Sequence, residues 1–123
     1  ADYQIKVPMM IVETAKSPLL EKKRTTHYDI TPTLCSNYLG VKNPYDEYSF
    51  GTNLFKVSEN RPYFICGYNQ NFSIVEPNKI TTISPSGTLN VMDKKLNKLT
   101  DEKINYNLVL EGIQTVNKFY KKK

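Results

Sequence analysis

His27 and Asp29, two positions apart in "TTHYDITPTL" (25–34), are the side chains of this sequence whose types could do chemistry together. His27 is the only histidine. An imidazole beside a carboxylate can serve as a general base, as two thirds of a nucleophilic triad, or as part of a metal site. A triad also needs an activated nucleophile. Ser36, Ser49, Ser58, Ser73, Ser84 and Ser86 all lack the Gly-x-Ser-x-Gly elbow that presents one. A metal site needs several converging ligands, and no third or fourth ligand lies near His27 and Asp29 in sequence. Asp46 and Glu47 are adjacent acids in a loop, where neighbouring side chains diverge, so they read as solvated or structural. Cys35 and Cys66 have none of the close spacing of a zinc site; they read as buried free thiols, and a disulfide would require an oxidising compartment. Five glycines form no phosphate loop, and "NFS" (71–73) matches a glycosylation sequon that matters only in a secreted eukaryotic protein. The residues by themselves make no self-sufficient active site.

The elements that must hold these side chains follow from periodicity and turn chemistry. "IKVPMMIV" (5–12) is a nearly continuous apolar run, which suits a strand covered on both faces, with Pro8 at its start or on an unpaired edge. Residues 13–24 read as a polar loop or a single irregular turn. Asp29 then suits a helix N-cap, its carboxylate accepting from free N–H groups of the first turn, with Pro32 in that turn. Ile30, Leu34, Tyr38 and Leu39 give an apolar stripe, and Gly40 closes a helix of about ten residues in the left-handed conformation. In the loop 41–55, Tyr45, Tyr48, Phe50 and Phe55 are expected to pin the chain to the body of the domain. From Arg61 the pattern becomes four strands, "RPYFICGY", "FSIVE", "KITTIS" and "TLNVMD", with Pro77-Asn78 and Pro85-Ser86-Gly87 as turns. Thr100 is expected to cap a last helix over 101–120, with Asp101 and Glu102 in its first turn and Lys118 in its last. Ile104, Leu108, Gly112 or Ile113, Val116 and Tyr120 keep helical spacing, and Gly112 would let that helix lie close across the meander.

Composition sets the class. The 123 residues, 39% of them apolar, suffice for one modest core, and no apolar run approaches the roughly 20 residues of a membrane-spanning helix. The chain opens almost within a strand-like run, as a portion of something longer would. The net charge of +5 is concentrated at Lys22-Lys23-Arg24 and at Lys118 and Lys121 to Lys123. Neither cluster interleaves with aromatics or forms a recognition helix, so nucleic acid is not an expected partner. Solvated charge or attraction to an anionic membrane surface remain.

The stretch "KVPMMIV…TTHYDITPTLCSNYLGVKNPYDEYSFGTNLF" resembles the end of the sulfatase domain in the alkaline-phosphatase superfamily. There a Val-Pro-apolar strand leads through a loop to Ser/Thr-His-x-Asp-Ile-x-Pro-Thr-Leu and a Leu-Gly-Val helix end. "YSFGTNLF" is similar to the Tyr-Ser-x-Gly-x-Asp-Leu-Phe segment that follows, with Asn53 where Asp is usual, and lipoteichoic-acid synthases share a related segment. The remainder, from "RPYFICGYNQNFSIVEPNKITTISPSGTLNVMD" to "NKFY", resembles the inner-membrane sulfatase-like proteins of Gram-negative bacteria. Those carry N-terminal transmembrane helices and a periplasmic hydrolase-like domain, and help control lipopolysaccharide levels and outer-membrane lipid balance.

The resemblance implies a C-terminal portion on the periplasmic side of the bacterial inner membrane, without catalytic, cofactor-binding or metal-ligating residues of its own. The nucleophile and the ligands of a divalent metal (zinc, manganese or magnesium) would lie upstream in the parent. His27, Asp29, Pro32, Gly40, Ser49 and Gly51 carry over as structural motif positions only. Residues 1–55 would be the terminal strand, helix and loop of the sulfatase-like core, completing its α/β sheet, and 56–123 a smaller α+β subdomain of antiparallel sheet plus helix. The implied partners are the remainder of the same chain, envelope lipids and regulatory membrane proteins. The leading function is a non-catalytic part in envelope lipid homeostasis; the alternative is a piece shaping the pocket of a metal-dependent phosphotransferase or hydrolase. For His27 three roles stay open: positioning ahead of the helix, direct catalysis or ligation, and support of a site supplied by another part of a longer chain. For Asp29 a capping role alone makes replacement by Ala cost ~1 kcal/mol. His27→Ala is expected to shift stability by no more than about 0.5 kcal/mol in a urea titration; a larger loss would place the imidazole in a buried polar network.

Overall fold

Alternation of apolar and polar residues across residues 61–93, punctuated by turn residues, produces a sheet of four consecutive antiparallel strands. In the computed structural model, which describes residues 6–68 and 70–121, these are β1 (Phe64–Tyr68), β2 (Asn71–Val75), β3 (Lys79–Ile83) and β4 (Leu89–Asp93). They pair in the order β1-β2-β3-β4. At the β2–β3 turn the Glu76 N–H donates to the Lys79 carbonyl at 2.9 Å, with Pro77 and Asn78 between. At the β3–β4 turn Gly87 takes φ +82°, a region that L side chains rarely enter, and its N–H donates to the Ser84 carbonyl. All four strands fall where the sequence places them.

Register sorts the side chains. Ile65, Ile74, Thr81 and Val91 are cross-strand neighbours in one row and are all buried. The last helix, α2 (Tyr106–Lys121), lies across that face and buries Val109, Gly112 and Val116. Ile74, Ile83 and Val109 form the centre, with Tyr63, Leu89, Ile104, Leu108 and Ile113 packed around them. Tyr63 reaches from the sheet side to donate its hydroxyl to Glu111 of α2 at 2.8 Å, and burial pushes that hydroxyl's pKa up to about 12. The helix starts later than expected. Thr100, Asp101 and Glu102 lie outside it, no acid occupies its first turn, and the Asn105 side chain instead accepts the Leu108 N–H at 3.2 Å. Residues 98–99 are engaged along β4, where Lys98 bridges Met92 and the Leu99 N–H donates to the Val91 carbonyl, so the chain is not free to coil until it has left the sheet edge.

Before the sheet the chain is largely irregular. A 3-10 turn at His27–Asp29 runs into α1 (Ile30–Asn37), and two further 3-10 turns span Tyr45–Glu47 and Leu54–Lys56. The α1 helix ends before Gly40, which has φ +67° as expected of a left-handed terminus, while the Val41 N–H returns to the Cys35 carbonyl. The expected apolar stripe does not face inward. Leu34, Tyr38 and Leu39 are exposed, and the buried residues of α1 are Pro32 and Thr33. The expected strand over 5–12 is also absent: Ile5 lies outside the described residues, and 6–12 form no ladder. Met10 and Val12 are 84% and 78% exposed. A run apolar on both faces needs a neighbouring strand and two covering layers, and the described residues supply neither. Both cysteines are free and half-buried rather than buried, Cys35 on α1 and Cys66 on β1, with burial pushing the Cys66 thiol's pKa up.

A Cβ on Gly112 would lie 2.8 Å from Ile74 Cδ1 and 3.2 Å from its Cγ1, so the glycine sets how closely α2 approaches the sheet. A void of about 40 Å³ beside Gly112, Ile74 and Val116 lets the end of Ile74 give way to a single methyl. Gly112→Ala is therefore expected to be near neutral, because about 1 kcal/mol of helix propensity offsets the contact. Gly112→Leu is expected to cost about 1–3 kcal/mol through overpacking; equal denaturation midpoints for the two variants would contradict this packing.

Candidate functional site

The motif residues converge on one point, the carboxylate of Asp29, which is fully buried. Four N–H donors surround it. Oδ2 accepts from the Thr26 backbone at 2.8 Å and from Arg61 Nη1 at 2.6 Å; Oδ1 accepts from the Thr52 backbone at 2.8 Å and from Arg61 Nη2 at 3.2 Å. The guanidinium thus meets the carboxylate as a two-point fork, the geometry in which such pairs are strongest. Arg61 Nη1 also reaches the Arg24 carbonyl at 3.4 Å. The expected role of Asp29 is corrected here. Its side chain makes no cap bond to α1; it holds the preceding turn, the 49–52 loop and the approach to β1 together.

The second half of the motif is built around the same turn. Ser49, buried, donates to the Tyr28 carbonyl at 2.8 Å and accepts the Gly51 N–H at 3.0 Å. Gly51 sits directly on the Tyr28–Asp29 peptide, and a Cβ there would lie 2.0 Å from the Tyr28 oxygen. Thr33 donates to the Asp29 carbonyl at 2.6 Å and accepts the Leu54 N–H at 2.8 Å. Asn53, 1% exposed, donates to Ser36 Oγ at 2.8 Å and to Asn37 Oδ1 at 2.9 Å, and accepts the Phe55 N–H at 3.0 Å. The inner face of α1 is therefore polar because the 52–55 loop needs its donors and acceptors satisfied there. The apolar residues of α1 are left outward for that reason.

Of the six motif positions, Asp29, Ser49 and Gly51 form this unit, Pro32 is buried beside it, and Gly40 ends the helix. His27 stands apart, exposed on the 3-10 turn. Nothing in the geometry couples its imidazole to the carboxylate as a base. A divalent cation does not fit at Asp29 either, since a guanidinium and two peptide N–H groups already face both oxygens. Among the described residues no group of three or more His, Cys, Asp and Glu side chains could hold a metal. Sequence reasoning missed Arg61, Thr33 and Asn53. The available signal was indirect: a carboxylate that is buried must have a cation and N–H donors near it.

Aromatic rings tie this unit to the sheet domain. Phe50 lies 4.0 Å from Tyr28 and 5.5 Å from Phe119 of α2, centroid to centroid. Phe50 thus does the pinning expected of the loop aromatics, whereas Phe55 is exposed and Leu54 and Val57 are buried in its place. Beside this contact an open groove of about 250 Å³ runs between Tyr45, Ser49, Phe50 and the end of α2, and Lys118 pairs with Asp46 at 3.3 Å on its rim. One paired acid and one amine provide no catalytic set. Arg24, partly buried, stacks over Phe64 and donates to the Val75 carbonyl at 2.9 Å; burial, with Arg61 alongside, lowers its pKa. No family model matches the chain.

Removing either partner of the Asp29–Arg61 pair leaves a buried, unmatched charge. Asp29→Ala and Arg61→Ala are each expected to cost about 3–5 kcal/mol, read as a fall in urea midpoint at unchanged slope. A loss near 1 kcal/mol for Asp29→Ala would return the carboxylate to a simple capping role.

Proposed function

We propose that this chain is the C-terminal, non-catalytic portion of a membrane-anchored, sulfatase-like protein on the periplasmic side of a bacterial inner membrane, and that it takes part in envelope lipid homeostasis through protein and lipid contacts. One observation carries the reading. The two motif segments behind the resemblance, 25–34 and 48–55, fold into a single hydrogen-bonded unit whose most reactive-looking group, the Asp29 carboxylate, is saturated by four donors. Such a unit positions backbone; it does not turn over substrate. The apolar arm 6–12 supports the same reading. Apolar on both faces and exposed, it is suited to enter a larger sheet supplied by the remainder of its own chain. Any divalent metal of such a parent, zinc, manganese or magnesium, would be held by that remainder.

The test has two arms. The purified chain, assayed with aryl phosphate and aryl sulfate esters in the presence of zinc, manganese or magnesium, is expected to give no turnover; metal-dependent hydrolysis would refute the non-catalytic reading. In a bacterium carrying the full-length protein, Arg61→Ala is expected to shift the ratio of lipopolysaccharide to phospholipid. An unchanged ratio, with the variant protein gone from the membrane fraction, would refute the lipid role.

A further inference from the structure

Leu19 and Leu20 are adjacent and 80% and 79% exposed, in a segment without regular structure. The same segment is firmly based. Arg24, at its end, is fastened to the sheet through the Val75 carbonyl and the Phe64 ring. Two leucines therefore project from a loop whose root is held, and two cations, Lys22 and Lys23, lie between the leucines and that root, which is itself the cation Arg24. The one carboxylate among these residues, Glu21, is already matched by Lys23 at 2.7 Å. Lys22 is exposed, and the excess charge of the loop is positive.

We infer that this loop, residues 17–24, is a docking point for an anionic lipid surface. Leucine side chains carry no hydrogen-bonding pattern, so two of them projecting side by side suit an apolar medium that imposes no register. Seated at the boundary between headgroups and acyl chains, they bring Lys22 to headgroup level, where an ammonium is attracted by anionic phosphates. The pairing of apolar tip and cationic base is what interfacial binding needs, because neither signal alone holds a protein to a bilayer. A second copy of the chain is a poorer occupant, since it would bring the same excess positive charge against this one. The inference extends the lipid-contact part of the proposed function, but its test needs neither a parent protein nor sulfatase-type ancestry.

The experiment is flotation of the purified chain with vesicles of phosphatidylethanolamine and phosphatidylglycerol, against vesicles of phosphatidylcholine alone. Binding is expected to the anionic vesicles, to weaken with added salt and with Lys22→Glu, and to fall about tenfold in the double variant Leu19→Asp/Leu20→Asp. Both leucines are exposed, so the double variant is expected to keep the parent melting curve, which separates loss of docking from loss of fold. No flotation with anionic vesicles would overturn the inference. So would equal flotation of the double variant, which would move lipid binding elsewhere on the chain. A change in oligomeric state on Leu19→Asp/Leu20→Asp, without vesicle binding by the unaltered chain, would assign the loop to self-association and equally overturn it.

Discussion

A buried carboxylate imposes a debt of donors on whatever surrounds it, and in this protein Asp29 sets those terms. Desolvating one charge costs several kcal/mol unless an opposite charge and hydrogen bonds replace the lost water. The replacements come from three separate stretches: the backbone of Thr26, the backbone of Thr52, and the guanidinium of Arg61 just ahead of β1. Satisfying one side chain therefore fixes the path of an otherwise irregular segment. It also ties that segment to the sheet domain, with the Phe50–Phe119 ring contact as the second fastening.

This arrangement accounts for the unusual layout of α1. A short surface helix ordinarily turns its apolar face inward. Here Thr33, Ser36 and Asn37 face the 52–55 loop, whose backbone and Asn53 they satisfy, and Leu34, Tyr38 and Leu39 are left outside. With Met10 and Val12 of the arm 6–12 they add to the exposed apolar surface of the chain. The His-x-Asp pair that first suggests catalysis is divided by the fold between an exposed imidazole and a sealed carboxylate.

Local signals proved legible wherever the partners they require lie close in sequence. The four strands pair with their immediate neighbours, so alternation and turn residues were enough to place them, and the same holds for Gly40 at the end of α1. Gly112 was legible as well, because a glycine in the middle of an apolar helical stripe has few other uses. The errors fall where a distant partner decides. The helix expected from Asp101 begins at Tyr106, after residues 98–99 have run along β4 and Glu102 and the Lys103 carbonyl have met the Lys79 ammonium of β3. The run 5–12 has the composition of a two-sided strand, yet 6–12 form no ladder among the described residues, because strand formation needs a neighbour and not only a pattern. Asp29 has the right type and place for a cap, and Arg61, 32 positions away, took its carboxylate instead.

The sequence by itself determined the α+β class, the order of the meander and the helix that covers it. These rest on short-range stereochemistry and on which residue types are present. Only the tertiary structure decided that Asp29 is buried against Arg61, that Gly51 must lack a side chain to lie on the Tyr28–Asp29 peptide, and that α1 turns its polar face inward. Each of those depends on desolvation and hydrogen-bond satisfaction between segments remote in sequence, and no local pattern records which remote group will arrive.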